Sequence, residues 1–227
     1  MTGLETNLER IRQRMLAAAQ RAGRNPDDIT LIAVTKTITP DRVEQALVAG
    51  LSVFGESKLQ EAKAKIPVVS GRAHWHMIGH LQTNKARDVV ALFELIHSVD
   101  SARLAGELNK WAERAGKTQP ILVEVNVSGE ASKFGLQPDA VEPALEQINS
   151  MPRLEVQGLM TMAPFAEDAE KARPYFRKLR ELRDRLSLTH LSMGMTQDFE
   201  VAIEEGATMV RIGTAIFGER NKHEPEE

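Results

Sequence analysis

The stretch "DDITLIAVTKTITP", residues 27–40, decides how the rest of the chain is read. Leu31 to Thr35 carry no charge and are mostly β-branched or aliphatic. A short apolar run of this kind, set between turn residues, reads as a buried strand over 30–35. Thr39-Pro40-Asp41 then opens a helix over 40–49, with proline tolerated in the first turn because its missing N–H has no partner there anyway. Strand followed by helix is one βα unit. One residue interrupts the apolar logic: Lys36, an ammonium group at the end of the run.

The same alternation continues to the end of the chain. Further strands are expected at 52–54, 74–78, 95–98, 120–126, 154–160, 189–192 and 208–211. Helices are expected near 57–66, 84–92, 101–115, 138–149, 167–187 and 197–205. An amphipathic helix over 4–22 precedes them, with Leu4, Leu8, Ile11, Met15, Ala19 and Ala22 on one face and Gly23 as its stop. Asp100-Ser101 opens the helix whose face is Leu104, Leu108, Trp111 and Ala115, and Gly116 closes it. Eight strands alternating with helices predict a parallel α/β sheet. In 227 residues that is one closed (β/α)8 TIM barrel over 1–220 with an extra N-terminal helix and a polar tail at 221–227. The alternative is an open doubly wound sheet, but no GxGxxG follows the first strand.

Composition narrows the function. There are no cysteines, which excludes disulfides, thiolate catalysis and zinc–thiolate sites. Net charge is -3, and arginines alternate with glutamates rather than forming a basic stripe, so no nucleic-acid partner is expected. The arginine-rich run at 173–186 reads as a solvated barrel helix. No apolar run approaches a membrane span or a signal peptide, so the expected location is the cytoplasm. His74 and His76 share one strand face and form a conceivable metal pair, but no carboxylate accompanies them in the run, and packing is the better reading.

In such a barrel, chemistry sits at the C-terminal ends of the strands. Lys36 ends strand one. Closure puts strand eight beside it, so Arg211 occupies the equivalent place, followed by Gly213 and Thr214. Strand seven supplies Ser192 and Gly194. Loops after strands seven and eight are the usual phosphate site, because backbone N–H groups there can face an anion. A lysine among apolar residues tends to shed its charge and become nucleophilic. An aldehyde, a phosphate and a ring nitrogen between them would satisfy all three features, and pyridoxal 5'-phosphate has them. On this reading Lys36 holds the cofactor as an internal aldimine and Arg211 faces the ring nitrogen. The plainer reading is that Lys36 only reaches solvent and that Arg211 pairs with Glu204 or Glu205.

Several segments together resemble one family: "LIAVTKT" around Lys36, "FGES" at 54–57, "WHMIGHLQTNK" at 75–85, "NVSGEASKFGL" at 126–136, "GLMTMAP" at 158–164, "LSMGMTQDFEVAIEEG" at 191–206 and "MVRIGTAIFG" at 209–218. They resemble the YggS/PROSC family, the pyridoxal phosphate homeostasis proteins, over nearly the whole chain. The resemblance implies a barrel like the N-terminal domain of alanine racemase and a role in vitamin B6 homeostasis, buffering or delivering the cofactor, with effects on amino-acid balance. It implies Lys36 as the Schiff-base lysine, Arg211 at the ring nitrogen, and Ser192, Gly213 and Thr214 at the phosphate with Met193 and Gly194 nearby. Ser57, His76 and Met160 complete the expected cofactor-binding set. Ser57 stands where many members carry asparagine; it is expected to cap the next helix. Phe134 stands where smaller residues are common and is expected to alter how its loop covers the site.

Two further expectations concern activity. An arginine at the ring nitrogen weakens the ring as an electron sink, and racemisation would need a second acid or base. The one tyrosine, Tyr175, is expected far from the mouth, leaving His76 or Lys133 as proton sources. The sequence therefore favours a monomeric carrier serving pyridoxal-phosphate-requiring apo-enzymes over a racemase-like amino-acid enzyme.

Overall fold

The computed structural model describes residues 3–218. The polar tail expected at 221–227 lies outside them. Helix α1 (Gly3–Arg21) leads into eight βα units: β1 (Thr30–Val34), α2 (Pro40–Val48), β2 (Val53–Glu56), α3 (Leu59–Lys65), β3 (His74–Met77), α4 (Ala86–Leu92), β4 (Leu95–Val99), α5 (Ala102–Arg114), β5 (Gln119–Glu124), α6 (Val141–Asn149), β6 (Leu154–Met160), α7 (Arg173–Arg185), β7 (His190–Ser192), α8 (Phe199–Glu204), β8 (Met209–Ile212) and the single turn α9 (Thr214–Phe217). The strands close in sequence order, and β1 pairs in parallel with β8 through Ile32 opposite Arg211. The expected barrel is therefore present, and the chain after β8 forms the helical turn α9, beginning at Thr214.

Local chemistry sets the boundaries. The Ser101 hydroxyl accepts from the Leu104 N–H and starts α5. Gly116, at φ +66°, ends it in a left-handed turn that a side chain would strain. Helices α6 and α7 begin later than expected, because 3-10 turns at Pro138–Ala140 and Ala169–Ala172 precede them.

Apolar residues fall into two layers. The larger packs helices against the outside of the sheet, for example Leu104 and Leu108 of α5, each almost wholly buried. Burial of one such leucine stabilises the fold by roughly 2 kcal/mol. The smaller lies inside the barrel: Ile32, Leu95, Leu122, Met160 and Met209. Side chains alternate along a strand, so the residue two places on shares the inward face and sits roughly 7 Å nearer the mouth. That step takes Leu95 to His97, Leu122 to Glu124 and Met209 to Arg211. With His76 and Ser192 these form a buried polar layer above the apolar floor. This layering positions the site.

Candidate functional site

Lys36 stands just beyond β1, in a turn rather than in the strand. Buried groups hold that turn. Lys65 Nζ donates to the Thr35 carbonyl at 2.6 Å and to Glu56 Oε1, and the Thr35 hydroxyl donates to the same carboxylate oxygen. Burial raises the Glu56 pKa, and the bonded Lys65 opposes the shift. On the solvent side Thr37, at φ +63°, donates its N–H to Glu61 at 2.7 Å. The lysine is presented from a turn clamped by side chains of α3 and β2, two elements the sequence predicts without showing the clamp.

Lys36 faces a cleft of about 420 Å³. Arg211, Gly213 and Thr214 share its lining, so four of the expected site residues do meet. The loop after β6 supplies an apolar wall that includes Ala163, Pro164 and Phe165, and the loop after β7 supplies Thr196, Gln197 and Asp198. Ala163, Pro164, Thr196, Gln197 and Asp198 stand in segments that carry the family resemblance, yet none was expected to line the site, since an irregular loop has no periodicity to show which way a side chain faces. Asp198 accepts from the Met195 N–H at 2.7 Å; burial raises its pKa and Arg211 opposes part of that rise.

Arg211 is held from below. Its guanidinium donates to the Thr161 carbonyl at 2.9 Å and to the Ser192 hydroxyl oxygen. Neither Glu204 nor Glu205 is its partner; they pair with Arg173, and Glu205 also with Arg177 and Arg180. Burial lowers the Arg211 pKa to about 10, with Glu124 and Asp198 opposing, so it stays cationic at neutral pH. Gly194 offers its carbonyl to the Arg211 N–H at 3.0 Å. A Cβ there would lie 2.5 Å from the Ala202 Cβ, at φ +92°, so glycine lets the β7 loop pass under α8.

The other expected residues lie elsewhere. Ser192, Met193 and Met160 are buried beneath or beside the cleft rather than lining it. His76 lies in the polar layer, its Nδ1 3.0 Å from His97 Nε2. Burial pushes its pKa down to about 4, which leaves it neutral. His74 pairs instead with Glu94. Ser57 does not cap α3: Lys58 occupies that position, without a side-chain bond. The Ser57 backbone packs so closely on Gly79 that a Cβ there would come within 2.1 Å of its carbonyl oxygen. Phe134 stacks on His80 at 3.6 Å, joining the loops after β5 and β3, and Lys133 reaches the Met162 carbonyl at 3.3 Å. Neither lines the cleft. Tyr175 does not line the cleft and packs, partly buried, against the helix–sheet layer.

A closed barrel with an amine, a buried guanidinium and a Gly-Thr turn around one cleft is of the alanine racemase barrel class. The family model for the alanine racemase N-terminal domain matches residues 6–221. A pyridoxal phosphate homeostasis protein of Aquifex aeolicus is 46% identical over 220 residues, covering 94% of this chain and 96% of that protein. The chain belongs to the family of pyridoxal phosphate homeostasis proteins. The structure of PipY from Synechococcus elongatus PCC7942 with PLP bound is 34% identical, with TM-score 0.79, over 92% of this chain and 100% of that one. Alanine racemase of Clostridium difficile 630 shares the fold at 15% identity, with TM-score 0.74, over 98% of this chain and 58% of the racemase.

Proposed function

We propose that the protein binds pyridoxal 5'-phosphate in the Lys36 cleft and stores or delivers it as part of vitamin B6 homeostasis. The donor set fits that group. Lys36 is the amine for its aldehyde, Arg211 the partner for its ring nitrogen, and Gly213 with Thr214 the contacts for its phosphate. Val34 and the apolar wall at 163–166 suit the ring faces. Gly213 packs closely on Val34: a Cβ there would stand 3.2 Å from its carbonyl oxygen, so a side chain at this position would require Val34 to shift by a few tenths of an ångström. Ser192, Met193, Gly194, His76 and Met160 support the site from beneath. When bound, the cofactor supplies an electrophilic carbon and an electron-withdrawing ring. The observation that carries the reading is that Lys36, Arg211, Gly213 and Thr214 line one cleft. The membership of PLP-binding PipY in the same structural group supports it.

The carrier reading is favoured over a racemase-like enzyme because the proton sources weighed for a second face, Tyr175, His76 and Lys133, do not line the cleft. The recipients on this reading are cytoplasmic apo-enzymes that need the cofactor, and the carrier acts as a monomer. Among the described residues no helix is long and apolar enough to cross a membrane. The test is an absorption spectrum after incubation with pyridoxal 5'-phosphate, beside Lys36→Ala, followed by borohydride reduction and peptide mapping. A visible band with the reduced adduct on Lys36 is expected. An adduct confined to another lysine refutes the site. Steady turnover of an amino acid by the loaded protein would establish the enzyme instead.

A further inference from the structure

The buried polar layer contains a chain of contacts that starts at cleft-lining Arg211 and runs through Ser192, His97 and His76, none of which lines the cleft. Arg211 Nη1 donates to Ser192 Oγ; Ser192 Oγ is 2.8 Å from His97 Nδ1; His97 Nε2 is 3.0 Å from His76 Nδ1. Ser192 and His97 are fully buried, and His76 nearly so. Burial keeps both imidazoles neutral near pH 7. Each neutral ring therefore has one donor and one acceptor nitrogen.

Counting donors and acceptors gives the chain a direction. Ser192 Oγ accepts from Arg211, so its own proton needs an acceptor, and His97 Nδ1 is the one in place. His97 Nε2–H then donates to His76 Nδ1. The reverse arrangement would make His97 Nδ1–H a second donor to Ser192 and leave the buried serine proton unpaired, at a cost of about 1–3 kcal/mol. A hydroxyl that donates is also a better acceptor.

We propose that His97 is a positioning residue for Arg211: it fixes the Ser192 hydroxyl so that its lone pair meets the guanidinium, and His76 fixes the tautomer of His97. The proposal rests on the reading that Arg211 faces the pyridine nitrogen of a bound cofactor, and it adds what aims that arginine. Without the acceptor at His97, the Ser192 hydroxyl is free to turn its proton toward Arg211, and the guanidinium keeps only the Thr161 carbonyl.

The parent protein gives the first test, with no cofactor present. Nitrogen-15 NMR should show His97 protonated at Nε2 and bare at Nδ1; the opposite tautomer overturns the proposal. Next, affinity for pyridoxal 5'-phosphate is titrated by absorbance in His97→Leu, His97→Asn, Ser192→Ala and the His97→Leu/Ser192→Ala double variant. His97→Leu and Ser192→Ala should each weaken binding about tenfold and shift the visible band, because both remove one acceptor path. The double variant should be no worse than either single. His97→Asn, which keeps an acceptor near the Nδ1 position, should recover most of the loss. Parent-like binding in Ser192→Ala, or a double variant about a hundredfold weaker, overturns the proposal. Ser192→Ala removes one atom, so it remains informative if His97→Leu does not fold. Borohydride mapping of the parent adduct reports separately on Lys36, so failure of the cofactor reading is distinguishable from failure of the relay.

Discussion

Lys65 Nζ and Glu56 Oε1 form a buried ion pair beneath the turn that carries Lys36, with side-chain exposures of 7% and 0%. The second Glu56 oxygen has no partner among the described residues. Removing one member of such a pair strands a charge in a poorly solvating site, which costs about 3–5 kcal/mol. Lys65→Met should lower stability by that order in urea denaturation and weaken cofactor binding through the Thr35 carbonyl it releases. Glu56→Leu combined with Lys65→Met should recover much of the stability but not the binding. Equal recovery of both would show that the pair does not aim the Lys36 turn.

Glu124 gives the fold a pH dependence of unusual sign for a carboxylate. Burial, with Asp100 nearby, raises its pKa to about 7, against 4.5 ordinarily, while Arg211 opposes the shift. Between these values the folded state binds more protons than the unfolded state, so stability falls as pH rises from 4.5 through 7. The contribution is on the order of 3 kcal/mol. Glu124→Gln should therefore gain stability on the parent as pH increases across that window, and the gain should level off above it. Urea midpoints at pH 5 and pH 8 read it. A variant-minus-parent difference that does not change with pH would refute the assignment.

His76 works in the opposite direction. Its pKa falls from 6.5 to about 4 because burial penalises the imidazolium, with His74 and His190 adding to the shift. The unfolded chain takes up the proton first, so stability is lost as pH drops from 6.5 toward 4. His97, fully buried with its pKa also lowered, adds to the same loss. His76→Gln should flatten the acid limb of the stability profile relative to the parent. If the limb stays as steep, the loss belongs to the other imidazoles whose pKa burial lowers, His97 and His190.

The barrel was legible because each strand carries a short apolar run and each helix a 3.6-residue stripe, and closure then follows from eight such units. Lys36 and Arg211 were legible for the same reason: each is a charge set in an apolar run at a strand end. The same signal stood in "LIHSV" and "ILVEV", where His97 and Glu124 interrupt equally apolar runs, and it was overlooked because those residues carry no familiar motif. The geometry of the cleft wall was not legible, although several of its residues stand in the segments that carry the resemblance. Pro164, Phe165, Gln197 and Asp198 lie on irregular loops whose meeting is decided by strand order, not by local pattern. Ser57 shows the limit of capping rules: a serine before a helix reads as a cap, yet the helix starts one residue later than its reach.

The phosphate assignment can be separated from the rest of the site by choice of ligand. Thr214 begins the helical turn α9 and lines the cleft beside Gly213. The first N–H groups of a helix lack acceptors within it, and with the Thr214 hydroxyl they form a compact set of donors. A hydrogen bond to a charged group contributes about 1.5–3 kcal/mol. Thr214→Val keeps the shape and removes the hydroxyl, so it should weaken pyridoxal 5'-phosphate about tenfold or more. Pyridoxal, which has the aldehyde and the ring nitrogen but no phosphate, should bind parent and variant alike. Lys36→Ala should instead abolish the visible band with both ligands, since it removes the amine and leaves the donors in place. If Thr214→Val weakened the two ligands equally, the hydroxyl would be acting on the ring or the aldehyde, and the phosphate would have to sit against the β7 loop, where the Thr196 hydroxyl and Gln197 offer other donors.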